Sequence, residues 1–466
     1  MDILLAHGYF LHDDPHERAV MRPYPPLGIL HLSSYLKSKG FDVGVFDATF
    51  ATMQDYLDLV QAERPPVVGL YTNMMTKGNV LRMAAMAKAF DAVVVLGGPD
   101  PPYYAAEYLA EYADIIVQGE GELTLEELLP HLAQHGLNRL EGIQGIKYLD
   151  ADGRLAENGA RAFVKNISDL PWPDREAIDI ETYMRIWKNH HGQSSVSVIH
   201  ARGCAFSCNW CSHSVYGTSH RRRSPADAAD ELRWIKDRYD PDLIWYADDV
   251  FAINHRWLFE YQEELKKRDV RIPFECISRA DRLNEKVIDT LADMGCYRLW
   301  NGSESGSQKI LNAMNRRVTV EDVQQKTHML QAAGIETGMF IMLGYAGETI
   351  QDIVDTVEHL KICNPDVFLT TVAYPIKGTP YYSEVEMDIL ADAPWDERAD
   401  RDLTVAGRYS KRFYSHATRW MVNEVALNRA RKNGGASLPR RLKMRANIAV
   451  GRLGMRFTRD EIETVG

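Results

Sequence analysis

Short apolar runs alternate with amphipathic segments from Ile3 to Gln118. The apolar runs have the length of buried strands, and the segments between them repeat apolar residues at helical spacing. This alternation predicts a parallel sheet wound with helices, that is, a doubly wound (Rossmann-like) α/β domain over residues 1–140. The predicted strands are Ile3–Ala6, Val43–Phe46, Val67–Tyr71, Val93–Leu96 and Ile115–Gln118.

A second alternation of strands and helices predicts a partial (βα)6 barrel over residues 196–390. Residues 141–195 are mixed, with short strand-like pieces at Gly145–Leu149 and Ala162–Val164, and are interpreted as a linker. Residues 391–466 have helical periodicity and form a predicted C-terminal helical region. The predicted barrel strands are Val196–His200, Leu243–Tyr246, Phe274–Ser278, Arg298–Asn301, Thr337–Leu343 and Val367–Tyr374.

Composition and charge narrow the class of protein. The chain is 45% hydrophobic and 26% charged, which is typical of soluble globular proteins. Its net charge of -11 argues against nucleic acid as a partner. The N-terminus lacks the pattern of a signal peptide, and no apolar run has the length of a membrane-spanning helix. We therefore expect a cytoplasmic protein.

The C-terminal region contains a basic amphipathic segment. Residues 438–457 carry six basic side chains and no acidic one, interleaved with apolar residues. Such a helix can contact an anionic membrane peripherally. Packing of the same helix on the enzyme body is the alternative, and the sequence leaves both open.

Three of the six cysteines lie close together, in the pattern Cys204-x3-Cys208-x2-Cys211 directly after a predicted strand. Three thiolates hold three irons of a four-iron, four-sulfur (4Fe-4S) cluster and leave the fourth iron open, whereas electron-transfer clusters normally have four cysteine ligands. A zinc site completed by His213 is the alternative. The other cysteines, which stand alone in apolar surroundings, are expected to be buried hydrophobic residues: Cys276, Cys296 and Cys363.

The cysteine pattern, with Trp210 before the third cysteine, resembles the signature of radical S-adenosylmethionine (SAM) enzymes. The resemblance implies that SAM chelates the open iron and that an electron from the cluster releases a 5'-deoxyadenosyl radical. Trp210 would lie near the adenine of SAM. Cys204, Cys208 and Cys211 would then be both the cluster ligands and the residues on which catalysis depends.

Polar and glycine residues at the ends of the later barrel strands resemble the SAM-binding positions of the same family. Asp248 and Asp249 would bind the amino group, while Ser278, Arg279 and Glu304 would lie near the ribose and carboxylate. The backbone of the fifth strand would lie beside the adenine at Gly338, Ile341 and Gly344. Helix caps and salt bridges are the alternative roles for the polar residues.

The doubly wound domain in front of the barrel resembles that of the cobalamin-binding radical SAM enzymes, which include methyltransferases and the group similar to anaerobic magnesium-protoporphyrin ester cyclase. Ligands of doubly wound sheets bind at the carboxyl ends of the strands. The resemblance therefore implies a cobalamin site at Thr72, Asn73, Gly97, Gly98, Pro99, Gly119 and Glu120. Asp14-Pro-His16 partly matches a cobalamin motif but lacks its glycine, and we interpret the match as coincidental.

The resemblance implies methylation of an unactivated carbon of a small-molecule substrate, with the methyl group delivered by cobalamin and the electron by a reductant such as flavodoxin or ferredoxin. Radical oxidative cyclisation or ring rearrangement on the same scaffold is the second hypothesis. A non-catalytic metal-binding module is the third. The expected cofactors under the first hypothesis are a 4Fe-4S cluster, SAM and cobalamin.

Overall fold

The computed structural model describes residues 1–432 and 436–464. Its N-terminal part is a seven-stranded sheet in the order β2-β1-β3-β4-β5-β6-β7. The first five strands are parallel, and the last two pair antiparallel at the edge. The strands are β1 (Ile3–His7), β2 (Val43–Phe46), β3 (Val67–Tyr71), β4 (Val93–Gly97), β5 (Ile115–Val117), β6 (Ile146–Leu149) and β7 (Leu155–Glu157).

Helices cover both faces of this sheet, and each face has its own apolar core. The helices are α1 (Pro15–Val20), α2 (Leu27–Ser38), α3 (Met53–Glu63), α4 (Lys77–Lys88), α5 (Ala105–Glu111) and α6 (Glu122–His135). The doubly wound fold is thus confirmed. The sheet is larger than expected, because β6 and β7 come from the segment interpreted as a linker. The strand-like piece expected at residues 162–164 forms no strand.

A six-stranded parallel sheet forms the second part, in the order β15-β14-β13-β12-β11-β8. The two end strands do not pair, so the barrel is partial, as predicted. Its strands are β8 (Ser195–Val198), β11 (Leu243–Tyr246), β12 (Phe274–Ser278), β13 (Cys296–Glu304), β14 (Glu336–Leu343) and β15 (Val367–Val372). Two short strands, β9 (Ala201–Arg202) and β10 (Arg221–Arg222), pair antiparallel at its carboxyl end.

Helices pack on the outside of the barrel sheet: α7 (Ile180–His191), α8 (Pro225–Tyr239), α9 (His255–Lys267), α10 (Glu285–Met294), α11 (Gln308–Ala313), α12 (Val320–Ala332) and α13 (Ile350–Cys363). Side-chain caps start several of them. Thr349 accepts a hydrogen bond from the Asp352 backbone, and Asp352 bonds back to the Thr349 backbone, which satisfies the first turn of α13 from both sides.

The C-terminal region is helical, as predicted. After α14 (Pro380–Val385) and the short hairpin β16 (Ile389–Leu390) and β17 (Thr404–Val405), two long helices follow: α15 (Lys411–Lys432) and α16 (Leu438–Thr458). Phe413, Trp420 and Met455 join them to the core on the outer face of β14. Within residues 1–432 and 436–464, none of the helices combines the length and apolar character that crossing a bilayer requires.

Candidate active site

The loop that carries the three cysteines leaves β9 and returns in β10, at the carboxyl end of the barrel. A distant segment after α11 holds it in place. The Asn209 backbone N–H donates to the Met314 carbonyl at 3.1 Å, and the Asn315 side chain donates to the Ser207 carbonyl at 2.7 Å. The loop is therefore anchored by residues about a hundred positions later in the chain.

The three thiols lie around one recess. Cys208 is buried and Cys204 is half-buried. The Cys211 residue is exposed, but burial of its sulfur among protein atoms and then the charges of Asp249, Cys204 and Cys208 raise the pKa of its thiol to about 12. Bound iron would offset that cost, because a metal stabilises thiolates. Among the described residues, no three His, Cys, Asp or Glu side chains are placed to hold a single metal ion.

Two arginines face the Cys208 sulfur. The Arg279 Nη1 lies 3.5 Å and the Arg316 Nη1 lies 3.7 Å from Sγ. Both guanidinium groups are buried, so their positive charge lies close to the position of this cluster ligand. The remaining nitrogens of Arg279 donate to Asp281 and to the Arg316 carbonyl, which leaves Arg279 committed to the cluster loop rather than open toward the SAM ribose or carboxylate. Sequence reasoning missed Arg316.

The two predicted aspartates have different environments. One carboxylate oxygen of Asp248 accepts from the His200 and Ala201 backbone N–H groups at 2.8 and 2.9 Å, and the other pairs with Arg222. Both oxygens of the buried Asp248 are thus bound by the protein, and Asp248 positions the chain at His200 and Ala201. This geometry argues against the predicted contact of Asp248 with the SAM amino group. Asp249 is at the rim, where desolvation and then the charge of Asp248 raise its pKa. Its oxygens remain available to an ammonium group.

Exchange of each aspartate for asparagine separates the two roles. We expect Asp248→Asn to destabilise the protein by about 3 kcal/mol, because Arg222 loses the partner of a buried ion pair. Asp249→Asn is expected to change the free energy of unfolding by less than about 0.5 kcal/mol while weakening SAM binding. Urea unfolding and equilibrium dialysis of SAM measure the two effects. Equal destabilisation by both variants would contradict the assignment.

Several buried polar atoms of the barrel domain have no hydrogen-bond partner in the protein. They are Ser278 Oγ at the end of β12, both side-chain polar atoms of Asn301 in β13, and the hydroxyls of Tyr345 and Tyr381. Such atoms are rare in the absence of a ligand or water. The rings of Tyr345 and Tyr381 stack at 4.5 Å in the apolar cluster against which Trp210 packs. This aromatic cluster beside the cysteine loop fits a ligand with an aromatic part, as SAM has.

Glu304 lies at an irregularity of β13. The register with β14 shifts between Gly302 and Glu304, and Glu304 has a φ of 62°, which is unusual for a residue with a side chain. Burial, opposed by the charges of Arg316 and Arg279, raises its pKa to about 7. The carboxyl group therefore changes charge near neutral pH, in the region where the resemblance places the SAM ribose and carboxylate.

The fifth-strand positions have structural roles of their own. A side chain at Gly338 would lie 2.5 Å from the Trp300 ring, so the glycine admits that indole. Ile341 points into the core between the sheet and the outer helices, which leaves only its backbone for a ligand. The Gly344 N–H donates to Glu348 Oε2 at 2.6 Å. The other Glu348 oxygen is buried without a partner, and burial raises the pKa of this carboxyl to about 8.

Glu348 is expected to make the cofactor-free protein less stable as the pH rises. The folded state holds its proton up to about pH 8, whereas an unfolded glutamate releases it near pH 4.5, so ionisation opposes folding between these values. Glu348→Gln should equal the wild type at about pH 4 and exceed it by about 3 to 5 kcal/mol at about pH 9. Urea unfolding across the pH range measures this, with the exposed Glu63→Gln as control. A constant difference between Glu348→Gln and the wild type would refute the role of ionisation.

A large cavity opens at the carboxyl end of the N-terminal sheet. Its volume is about 1330 Å³, above the range of about 300 to 1,000 Å³ usual for small-molecule pockets. Six of the seven residues predicted to bind cobalamin line it: Asn73, Gly97, Gly98, Pro99, Gly119 and Glu120. Val215 and Tyr216 of the cluster loop line the same cavity. The cavity therefore has the size for a corrin and reaches the barrel domain.

The close packing of the backbone beside the cavity requires a glycine at position 98. Its φ is 110°, and a Cβ there would lie 2.3 Å from the Thr72 carbonyl oxygen. Thr72 itself does not line the cavity. It is fully buried, and its N–H donates to the Gly97 carbonyl at 2.8 Å. Thr72 therefore supports the loop at Gly97 and Gly98 from below and does not make the predicted contact with cobalamin.

Buried ion pairs join the cavity to the cluster loop. Glu120 Oε1 accepts from Arg202 at 2.9 Å and from Arg221 at 2.8 Å, while its Oε2 accepts from the Val164 N–H. Arg202 also pairs with Glu122. Glu120 is thus saturated by protein donors, and its predicted contact with cobalamin gives way to a contact between the two domains.

The histidines near the cavity have different environments. Asp14 caps α1 and the His16 side chain is 83% exposed, in agreement with a coincidental motif match. The His7 Nε2 lies 2.9 Å from Asp47. His31 of α2 lines the cavity with a buried, unpartnered Nδ1, and burial followed by the charge of Arg202 holds its pKa well below the usual value. Sequence reasoning missed this neutral imidazole.

Comparison with known families identifies both domains. Residues 198–360 match the model of the radical SAM superfamily, and residues 19–129 match that of the B12 binding domain. The first range contains the cluster loop and the barrel strands β11 to β14. The second contains most of the N-terminal sheet and the loops around the cavity.

Individual relatives cover most of the chain. An uncharacterized methyltransferase of Pyrococcus horikoshii is 27% identical over 376 residues, covering 78% of this chain and 80% of its own. The anaerobic magnesium-protoporphyrin IX monomethyl ester cyclase of Rubrivivax gelatinosus is 26% identical, with 77% and 66% covered. The radical SAM methyltransferase TsrM of Kitasatospora setae, solved with cobalamin and a [4Fe-4S] cluster, has the same fold, with a TM-score of 0.72, 18% identity and coverage of 98% and 99%.

The cofactors follow from the two matched domains and from the geometry of their sites. The radical SAM domain implies a 4Fe-4S cluster and SAM, and the B12-binding domain implies cobalamin. The chain therefore belongs to the radical SAM enzymes that carry a B12-binding domain ahead of the barrel.

Proposed function

We propose that this enzyme methylates an unactivated carbon of a small-molecule substrate. The observation that carries the proposal is the cavity of about 1330 Å³, whose wall combines strand ends of the B12-binding domain with Val215 and Tyr216 of the cluster loop. A substrate between the two domains would be within reach of both cofactors. The methyltransferase among the relatives supports this outcome.

The cofactors supply the bond-breaking chemistry: when bound, the reduced cluster delivers the electron that cleaves SAM, and cobalamin carries the methyl group. The chain's residues hold and orient these groups. Cys204, Cys208 and Cys211 would hold the cluster, and Arg279 and Arg316 would donate hydrogen bonds to the Cys208 sulfur, from which they lie 3.5 and 3.7 Å away.

The remaining residues would position SAM. Asp249 would accept hydrogen bonds from its ammonium group, and Ser278 at the end of β12, whose hydroxyl has no protein partner, would bond to one of its polar edges. Glu304 would hold a proton or a negative charge according to pH, since its pKa is about 7. Trp210, next to the stacked Tyr345 and Tyr381, would lie against the adenine and exclude water from the recess.

The enzyme also needs an electron donor in the compartment where it works. We place the enzyme in the cytoplasm, with a reductant such as flavodoxin or ferredoxin as the electron source. The three arginines after the cluster loop each pair with a carboxylate of the protein: Arg221 with Glu120, Arg222 with Asp248 and Arg223 with Asp227.

Isotope transfer tests the proposed reaction. Anaerobically reconstituted protein is incubated with dithionite, cobalamin, SAM labelled in its methyl group and a panel of candidate substrates, and the products are analysed by mass spectrometry. Labelled methyl in the product is the expected result. Loss of hydrogens without a gain of carbon would replace the proposal with oxidative cyclisation, the reaction named for the Rubrivivax relative. No 5'-deoxyadenosine with any substrate would favour a non-catalytic module.

A further inference from the structure

The last helix presents an apolar stripe to solvent. One side of α16 packs on α15 and the core through Ile448, Gly451 and Met455. On the opposite side, apolar side chains recur at helical spacing and stay exposed: Leu438 (71%), Leu442 (53%), Val450 (44%), Leu453 (52%) and Phe457 (79%). Single exposed apolar residues are ordinary, but a continuous stripe indicates an interaction surface.

Basic side chains border this stripe. Lys443 lies along one edge, and Arg445, Arg452 and Arg456 lie along the other, as the rotation of about 100° per residue requires. Lys443, Arg445 and Arg456 are exposed and form no ion pair with any residue of the described ranges. Positive charge with no internal partner is therefore available to an external one.

The charge of the surrounding region is equally one-sided. Residues 411–459 contain 13 Lys and Arg residues and one acidic residue, Glu424, in a chain with a net charge of -11. A second copy of this chain fits poorly as the occupant, because a symmetric contact through the stripe would bring the two basic helices together. The apolar stripe and its basic borders together complement an anionic lipid surface.

We propose that α16 docks the enzyme peripherally on an anionic membrane. The stripe from Leu438 to Phe457 would lie among the upper acyl chains, with the helix parallel to the surface, and the bordering lysine and arginines would contact lipid phosphates. The stripe is separate from both candidate sites. None of its side chains lines the recess of the cysteines or the cobalamin cavity.

Vesicle flotation of the full-length, anaerobically reconstituted enzyme tests the proposal. Binding is expected to vesicles of equal parts phosphatidylcholine and phosphatidylglycerol, to weaken with salt, and to be at least tenfold weaker for phosphatidylcholine alone, by roughly 1.4 kcal/mol or more of lost electrostatic attraction. Lys443→Gln/Arg445→Gln/Arg456→Gln should lower the partition coefficient on the order of 100-fold. Leu453→Asp/Phe457→Asp should abolish binding.

A matched variant and a fold check complete the design. Leu137→Asp/Leu155→Asp places the same two charges on exposed leucines of the N-terminal domain and should bind vesicles like the wild type. All variants should retain 5'-deoxyadenosine formation, which shows that they are folded. Absence of wild-type flotation, equal flotation of Leu453→Asp/Phe457→Asp, or a dimer in light scattering that this double variant dissociates would each overturn the proposal.

Discussion

Replacement of Cys208 by alanine removes the iron–sulfur cluster and reduces 5'-deoxyadenosine formation to the background of protein-free controls. Cys208 is the buried thiol between Arg279 and Arg316, so its loss leaves two buried cations facing a gap and two cysteines for a cluster that needs three. Iron and sulfide analysis and product chromatography with dithionite and SAM measure both effects.

A buried cysteine elsewhere is the control for this loss. Cys296 is the first residue of β13 and therefore lies at the amino end of the barrel, opposite the cluster loop. Cys296→Ala should retain a full cluster and the wild-type rate of SAM cleavage. A Cys208→Ala protein that still bound four irons and cleaved SAM would show that other residues ligate the cluster.

The substitution Gly97→Leu should block cobalamin while sparing the cluster. A side chain at Gly97 meets no protein atom within 4 Å of its Cβ and enters the cavity instead, so the protein folds and the ligand loses its space. We expect cobalamin affinity to fall at least about 100-fold. SAM cleavage should continue, and transfer of labelled methyl should stop.

Gly159→Leu is the matched control, because this exposed glycine also has open space around it and lies outside the cavity. Absorption spectra after cobalamin loading and extraction measure the bound amount in each variant. Wild-type cobalamin content in Gly97→Leu would move the cofactor to another part of the chain, and loss of the cluster in the same variant would mean that the substitution disturbs the fold.

The sequence alone predicted those parts of the fold that depend on short stretches of the chain. The period of the apolar positions predicted both parallel sheets, which the structure contains, and the spacing of Cys204, Cys208 and Cys211 predicts that one loop carries the cluster ligands. The hairpin of β6 and β7 was interpreted as a linker because its membership in the N-terminal sheet depends on pairing with β5, which lies some thirty residues earlier. Such pairing leaves no mark within the hairpin itself.

The roles of charged residues were the least predictable. Asp248, Arg279 and Glu120 stand where ligand-binding residues are expected, yet each is satisfied by protein groups distant in sequence. Arg316 reaches Cys208 across 108 positions. A strand end marks a place for polar chemistry, but only the tertiary structure shows whether a carboxylate faces a ligand or an arginine.

The salt bridges of Glu120 have a consequence for how molecules enter and leave. Parting the two domains would break the ion pairs of Glu120 with Arg202 and Arg221 and that of Arg202 with Glu122, and water would have to replace these charge-assisted hydrogen bonds. Hinge-like opening is therefore disfavoured in every catalytic cycle. We expect turnover to proceed through a permanent gap between clamped domains, so that the width of this gap sets an upper limit on the girth of the molecules that the enzyme accepts.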